Sequence, residues 1–95
     1  PVAVTETAAF YAPGASGADE TAVKQAWWEQ VFAADLAERF PRLAMVNWFE
    51  WDKHEAEVDA RVDWTVTGRP DLAEAFRTAL PGHVRFAGDR PACAG

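Results

Sequence analysis

Pro1-Val2-Ala3-Val4-Thr5-Glu6-Thr7 is a short apolar run, β-branched at alternate positions, that ends on a carboxylate. Strand geometry sends Val2 and Val4 to one face and Pro1, Ala3 and Thr5 to the other. Neither face is strongly polar, which is the composition of a strand covered on both sides, as in parallel sheets. Glu6 is the first charged residue of the chain and stands where the strand leaves the sheet. Ligands and catalytic groups collect at such strand ends in α/β proteins and barrels. The plain alternative is a solvated glutamate.

Outward from this strand, residues 7–17 form a loop punctuated by Pro13, Gly14, Ser16 and Gly17. Its adjacent aromatics, Phe10 and Tyr11, read either as loop packing or as the wall of a binding cleft. Asp19 and Glu20 suit the positive end of a helix, with Asp19 or Ser16 as its cap. The helix is expected to run from Asp19 to Arg39. Val23, Trp27, Val31 and Ala34 recur on one face, and Trp28, Phe32, Leu36 and Phe40 widen the stripe. Trp27 and Trp28 both read as core, and Glu20 and Lys24 as an i,i+4 pair on the polar side. Pro41 stops the helix.

Leu43-Ala44-Met45-Val46-Asn47-Trp48-Phe49 is a second strand, again apolar on both faces. Strand, helix, strand predicts a βαβ unit with parallel pairing. The pairing would bring Glu6 and Trp48 to one rim, where an indole can stack on a pyranose face beside a carboxylate. Residues 52–59 are acidic and polar. Glu50, Asp52, His54, Glu55 and Glu57 can be written as a metal cluster but match no ligand spacing, and a solvated loop with a surface His54 is the simpler reading. Residues 62–67 form a brief extended piece. Pro70 suits a first helical turn, and Asp71 to Leu80 is a second helix with Leu72, Ala73, Phe76 and Leu80 on its buried face. The tail from His83 is short, with Val84 and Phe86 available to dock.

The 95 residues can hold one domain at most. Five Trp, six Phe and one Tyr argue against disorder and exceed what a small two-layer domain needs to bury. A formal charge of −6, with nine Lys and Arg scattered rather than clustered, disfavours nucleic acid or an anionic membrane as partner. No apolar run approaches the roughly 20 residues of a membrane span. Cys93 is the only cysteine, so an internal disulfide is excluded. A buried strand that opens the text has no lead-in to supply its neighbour, and the 95 residues are therefore expected to be a piece of a longer protein.

The order of these landmarks resembles a known family. The run from Pro1 to Ala9 looks like the seventh strand of a (β/α)8-barrel glycoside hydrolase, and the helix carrying Lys24 and Trp27-Trp28 like the helix that follows it. Phe40-Pro41-Arg42-Leu43, continuing into Asn47-Trp48-Phe49-Glu50-Trp51-Asp52-Lys53, looks like the eighth strand. Asp63-Trp64 and the helix ending Leu80-Pro81 resemble the closing unit. Together they are similar to the C-terminal quarter to third of glycoside hydrolase family 26, especially its fungal mannanase-like members.

The resemblance implies an α/β fold, a C-terminal βαβα fragment of a TIM barrel whose partner is the missing N-terminal part. It implies a secreted enzyme that cleaves a β-linked polysaccharide such as β-1,4-mannan without cofactor or metal. Glu6 matches the catalytic nucleophile. Trp48 matches the substrate-binding aromatic, with Tyr11, Phe10 and Trp51 expected beside it. The family's acid/base belongs to strand four, outside these residues, so the isolated chain is expected to be silent. Thr7-Ala8 stands where a bulky residue and Gly are common. Two other readings stay open: a non-catalytic carbohydrate-binding or degenerate barrel protein, and a small independent α/β interaction domain. A fragment would leave Trp27, Phe32, Trp48 and Trp51 partly exposed; a self-contained domain would pack them.

Overall fold

The computed structural model describes residues 1–14, 17 and 19–86. Strand β1 (Val2–Thr7) pairs in parallel with β2 (Leu43–Trp48), and the connection between them contains α1 (Glu20–Val31) and the single turn α2 (Leu36–Arg39). An antiparallel hairpin of β3 (Asp52–Glu55) and β4 (Ala60–Asp63) follows, then α3 (Pro70–Ala79). The class is α/β, with the parallel pair and hairpin as separate two-stranded sheets.

The β1–β2 ladder is irregular in a way that decides where Glu6 points. Val4 pairs with Val46 and Thr7 with Trp48, so Thr5 and Glu6 together oppose Asn47 alone. That is a bulge, which shifts the side-chain alternation by one. By strict alternation Glu6 would share a face with Val2 and Val4. Instead Thr7 joins Val2 and Val4 along a largely apolar groove, and Glu6 and Ala8 line a separate cleft that Thr7 also borders.

Three expectations are corrected. The long helix breaks after Val31: Phe32 makes the last regular bond, to the Trp28 carbonyl at 2.8 Å, before the chain turns into α2. The break lets the Phe32 ring pack edge-on against Phe76 at 5.7 Å, while Leu36 turns to the groove beside Val31 and Val46. Asp52 to Asp59 is not a solvated loop. Its first half is β3, which pairs across a tight turn whose last residue, Asp59, takes a left-handed φ of 46°. The strands of the parallel pair are not covered on both sides: Val2 and Met45 are exposed.

The core lies where α1 and α3 meet. Trp28, Val66, Leu72 and Phe76 are buried there, with Phe32, Trp48 and Leu80 packed around them. Phe76 is the hub, with the Trp28 and Trp48 rings at 5.4 and 5.9 Å. Pro70 occupies the first turn of α3, and Leu72, Ala73 and Phe76 form its buried face, both as the spacing predicts. Of the four aromatics expected to be partly exposed in a fragment, Trp27 and Trp51 are exposed, and Phe32 and Trp48 are partly buried while packing on this core.

α1 buries an unexpected face. Its inward positions are Glu20, Lys24 and Trp28, one stripe at i, i+4 and i+8. Lys24 is 0% exposed. Its Nζ donates to Glu20 Oε2 at 2.7 Å and lies 3.5 Å from Asp63 Oδ1 at the end of β4. Arg69 closes the network on Glu20 Oε1 at 3.1 Å. The pair expected on the polar side is thus inside, because Asp63 and Arg69 arrive from the far end of the chain to compensate it. Asp19 caps α1, its Oδ2 accepting from the Ala22 amide at 2.9 Å. Ser16, the other candidate cap, and Cys93 lie outside the described residues.

Candidate functional site

The end of β1, the second turn of α1 and the hairpin enclose a cleft of about 470 Å³ lined by Glu6, Thr7, Ala8, Trp27, Phe49, Lys53, Glu55 and Trp64. Each wall is placed by a backbone tie. The Phe49 amide donates to the Thr7 carbonyl at 2.7 Å, continuing the parallel ladder past β2. The Trp64 amide donates to the Trp51 carbonyl at 2.9 Å and the Asp63 amide to the Tyr11 carbonyl at 2.8 Å, which fix the hairpin against the strand ends. Glu50 holds the segment after β4, accepting from the Val66 amide at 2.5 Å and Thr67 Oγ1 at 2.6 Å.

Glu6 is exposed at this cleft, and its carboxylate has no ion-pair partner among the described residues. Glu55, in the same cleft, is engaged: Oε1 accepts from Trp64 Nε1 at 2.9 Å and lies 3.6 Å from Lys53 Nζ. Lys53 sits over the rings of Trp51 and Phe49 at 5.2 and 5.9 Å, so its charge is already matched by aromatic faces and a carboxylate. On the outer side of the hairpin Arg61 grips Asp52 with two bonds, at 2.8 and 2.5 Å. That hydrogen bond is the main cause holding the Asp52 carboxyl below its ordinary range and the Arg61 guanidinium above its own.

The expected aromatic partners of Glu6 are elsewhere. Thr7 and Trp48 are ladder neighbours, so Glu6 and Trp48 do share one end of the parallel pair. The Trp48 indole nevertheless turns into the core against Phe76, its Nε1 donating to the Trp64 carbonyl at 2.7 Å, and it is absent from the cleft lining. Tyr11 lies with its ring 5.4 Å from Lys24 Nζ, at the buried charge network. Phe10 is half exposed and props Trp64 edge-on at 5.6 Å from outside the cleft. Trp51 is exposed beside Phe49 and Lys53. His54 is a surface residue 3.1 Å from Asp59.

The walls that sequence reasoning missed are Trp27, Phe49, Lys53, Glu55 and Trp64. For Trp27 a signal was present: consecutive helical residues are about 100° apart, so Trp27 and Trp28 cannot both face one core. Trp28 is 1% exposed and Trp27 41%. Among the described residues no group of three or more His, Cys, Asp or Glu is placed to hold a metal ion, and no helix is long and apolar enough to cross a membrane. No protein-family model, no curated protein and no solved structure matches the chain.

Proposed function

We propose that this chain is the closing part of a retaining glycoside hydrolase barrel and that Glu6 is its nucleophile, acting on a β-linked polysaccharide such as β-1,4-mannan. The observation that carries the reading is the β1 bulge. It lifts Glu6 off the apolar face of Val2 and Val4 and into a cleft walled by two indoles and a phenyl ring. Aromatic walls with a few convergent polar groups suit a sugar, whose ring has an apolar face and a hydroxyl rim. Glu6 and Glu55 are opposed by Lys53 alone, which favours a neutral polyhydroxylated ligand over an anionic one.

In this mechanism Glu6 attacks the anomeric carbon and forms a glycosyl-enzyme ester, while a second carboxyl protonates the departing glycosidic oxygen and later activates water. Retention requires that carboxyl to lie about 5–5.5 Å away. Glu55 does not fit the part, because Trp64 and Lys53 already hold it in the wall. The acid is therefore assigned to the remainder of the barrel. The exposed Val2 and Met45, and the groove between Val4, Val46 and Leu36, support that assignment as surfaces fit for neighbouring barrel units.

The test compares hydrolysis of β-1,4-mannan by the complete reading frame with and without Glu6→Ala. Loss of turnover is expected, and the 95 residues alone should be silent; unchanged turnover would remove Glu6 from the mechanism. The engagement of Glu55 favours one other reading, a cleft that binds glycan without cleaving it.

A further inference from the structure

We infer that Trp27 is the stacking platform of the Glu6 cleft and that Thr7 is the residue that aims it. This rests on the carbohydrate reading of the cleft and adds the residue that would hold the sugar ring. Trp27 Nε1 donates to Thr7 Oγ1 at 2.8 Å, which ties the indole edge to the residue next to Glu6. The tie consumes the one polar atom of the ring and leaves its faces for an apolar contact. With 41% of its surface exposed, Trp27 is the cleft tryptophan whose indole is held without being sealed. Trp64, across the cleft, is committed on more sides: its Nε1 is held by Glu55, and Phe10 and Phe49 meet it edge-on.

The bulge makes the arrangement possible. It puts Thr7, rather than Glu6, within reach of α1, so a single backbone irregularity presents the carboxylate and orients the indole beside it. An indole fixed this way meets the C–H face of a pyranose with little rotamer freedom left to lose on binding. Aromatic cages with carboxylates also take quaternary ammonium ions. Here Lys53 already stands over Phe49 and Trp51 and is 3.6 Å from Glu55, so a second cation would meet like charge.

The test follows the tryptophan indole N–H resonances of the protein from the complete reading frame, carrying Glu6→Gln so that the sugar is not turned over, by NMR during titration with β-1,4-mannotetraose, and separately with choline. The Trp27 indole is expected to shift with mannotetraose and stay put with choline. Trp27→Ala should weaken binding roughly tenfold, and Thr7→Val, which keeps the shape of the side chain but removes the acceptor, about threefold or more. If Trp64 and the amides around Glu6 respond while Trp27 does not, and Trp27→Ala binds as wild type does, the platform is overturned and the sugar site stands. If no resonance responds up to the solubility limit of the sugar, the carbohydrate reading falls and the platform with it. A response to choline alone would replace both with a cation site.

Discussion

Replacing Lys24 by Met tests whether the buried ion network holds α1 to the second half of the chain. Methionine keeps an unbranched apolar stem one atom shorter and removes the ammonium with its charge and its hydrogen bonds. Lys24 is 0% exposed and bridges Glu20 and Asp63, whose side chains are themselves 9% and 14% exposed. Removing one partner of a buried pair costs about 3–5 kcal/mol, because the remaining charge is left uncompensated. Both carboxylates retain help here: Arg69 stays on Glu20, and the amide and hydroxyl of Thr65 stay on Asp63 at 2.9 and 2.7 Å. The expected loss therefore sits at the low end, about 3 kcal/mol. With a urea slope of roughly 1–1.5 kcal/mol/M for a domain of this size, the midpoint should fall by about 2–3 M. Trp28, one turn beyond Lys24, makes intrinsic fluorescence a suitable readout. The control is Lys24→Met combined with Glu20→Gln and Asp63→Asn, which removes the stranded charges and should recover much of the loss. A midpoint that stays put in the single variant, or falls further in the triple one, would refute the reasoning and place the ammonium in water.

Two further outcomes follow from the hairpin and the turn beyond it. Because Arg61 holds the folded pKa of Asp52 below its unfolded value, the pair stabilises the hairpin above the ordinary carboxylate range and ceases to do so as pH falls through the folded value; Arg61→Gln should return the Asp52 titration, followed by carboxyl NMR, upward to the usual range. A Cβ on Gly68 would stand 2.6 Å from Thr65 Oγ1, so Gly68→Ala should push that hydroxyl off Asp63 and cost about 1–2 kcal/mol in a thermal or urea melt.

Much of the scaffold was legible in the text. The two apolar runs, the intervening helix and Pro41 specified a parallel β1–β2 pair, and Pro70 with the Leu72–Ala73–Phe76 spacing specified α3. The hairpin was not legible, because its strands carry Asp52, Lys53, His54 and Glu55 opposite Asp63, Val62, Arg61 and Ala60. Cross-strand charge pairing such as Arg61 with Asp52 stabilises it where apolar alternation would normally announce a strand. Lys24 was misplaced for a related reason. Its second partner, Asp63, is distant in sequence, so a local i,i+4 reading sees only a surface pair. The identity of Glu6 as a strand-end carboxylate was visible, while its companions depended on a register that no periodicity encodes.

That register is the step from which the site follows. Without the bulge, Glu6 would point with Val2 and Val4 into the groove lined by Val31, Leu36, Arg39 and Arg42, away from the cleft of Trp27 and Trp64. Thr7 would then face away from α1, and Trp27 would lose the acceptor that holds it. One additional residue on β1 brings Glu6 to the cleft and supplies the Trp27 contact. The same shift explains why Trp48, although it is the ladder neighbour of Thr7, belongs to the core: the Phe76 hub takes its ring, and the Trp64 carbonyl satisfies its N–H. The aromatic partner of Glu6 is thus drawn from the helix and the hairpin rather than from the adjacent strand, and Lys24, bonded to Glu20 on α1 and 3.5 Å from Asp63 at the end of β4, bridges those two elements.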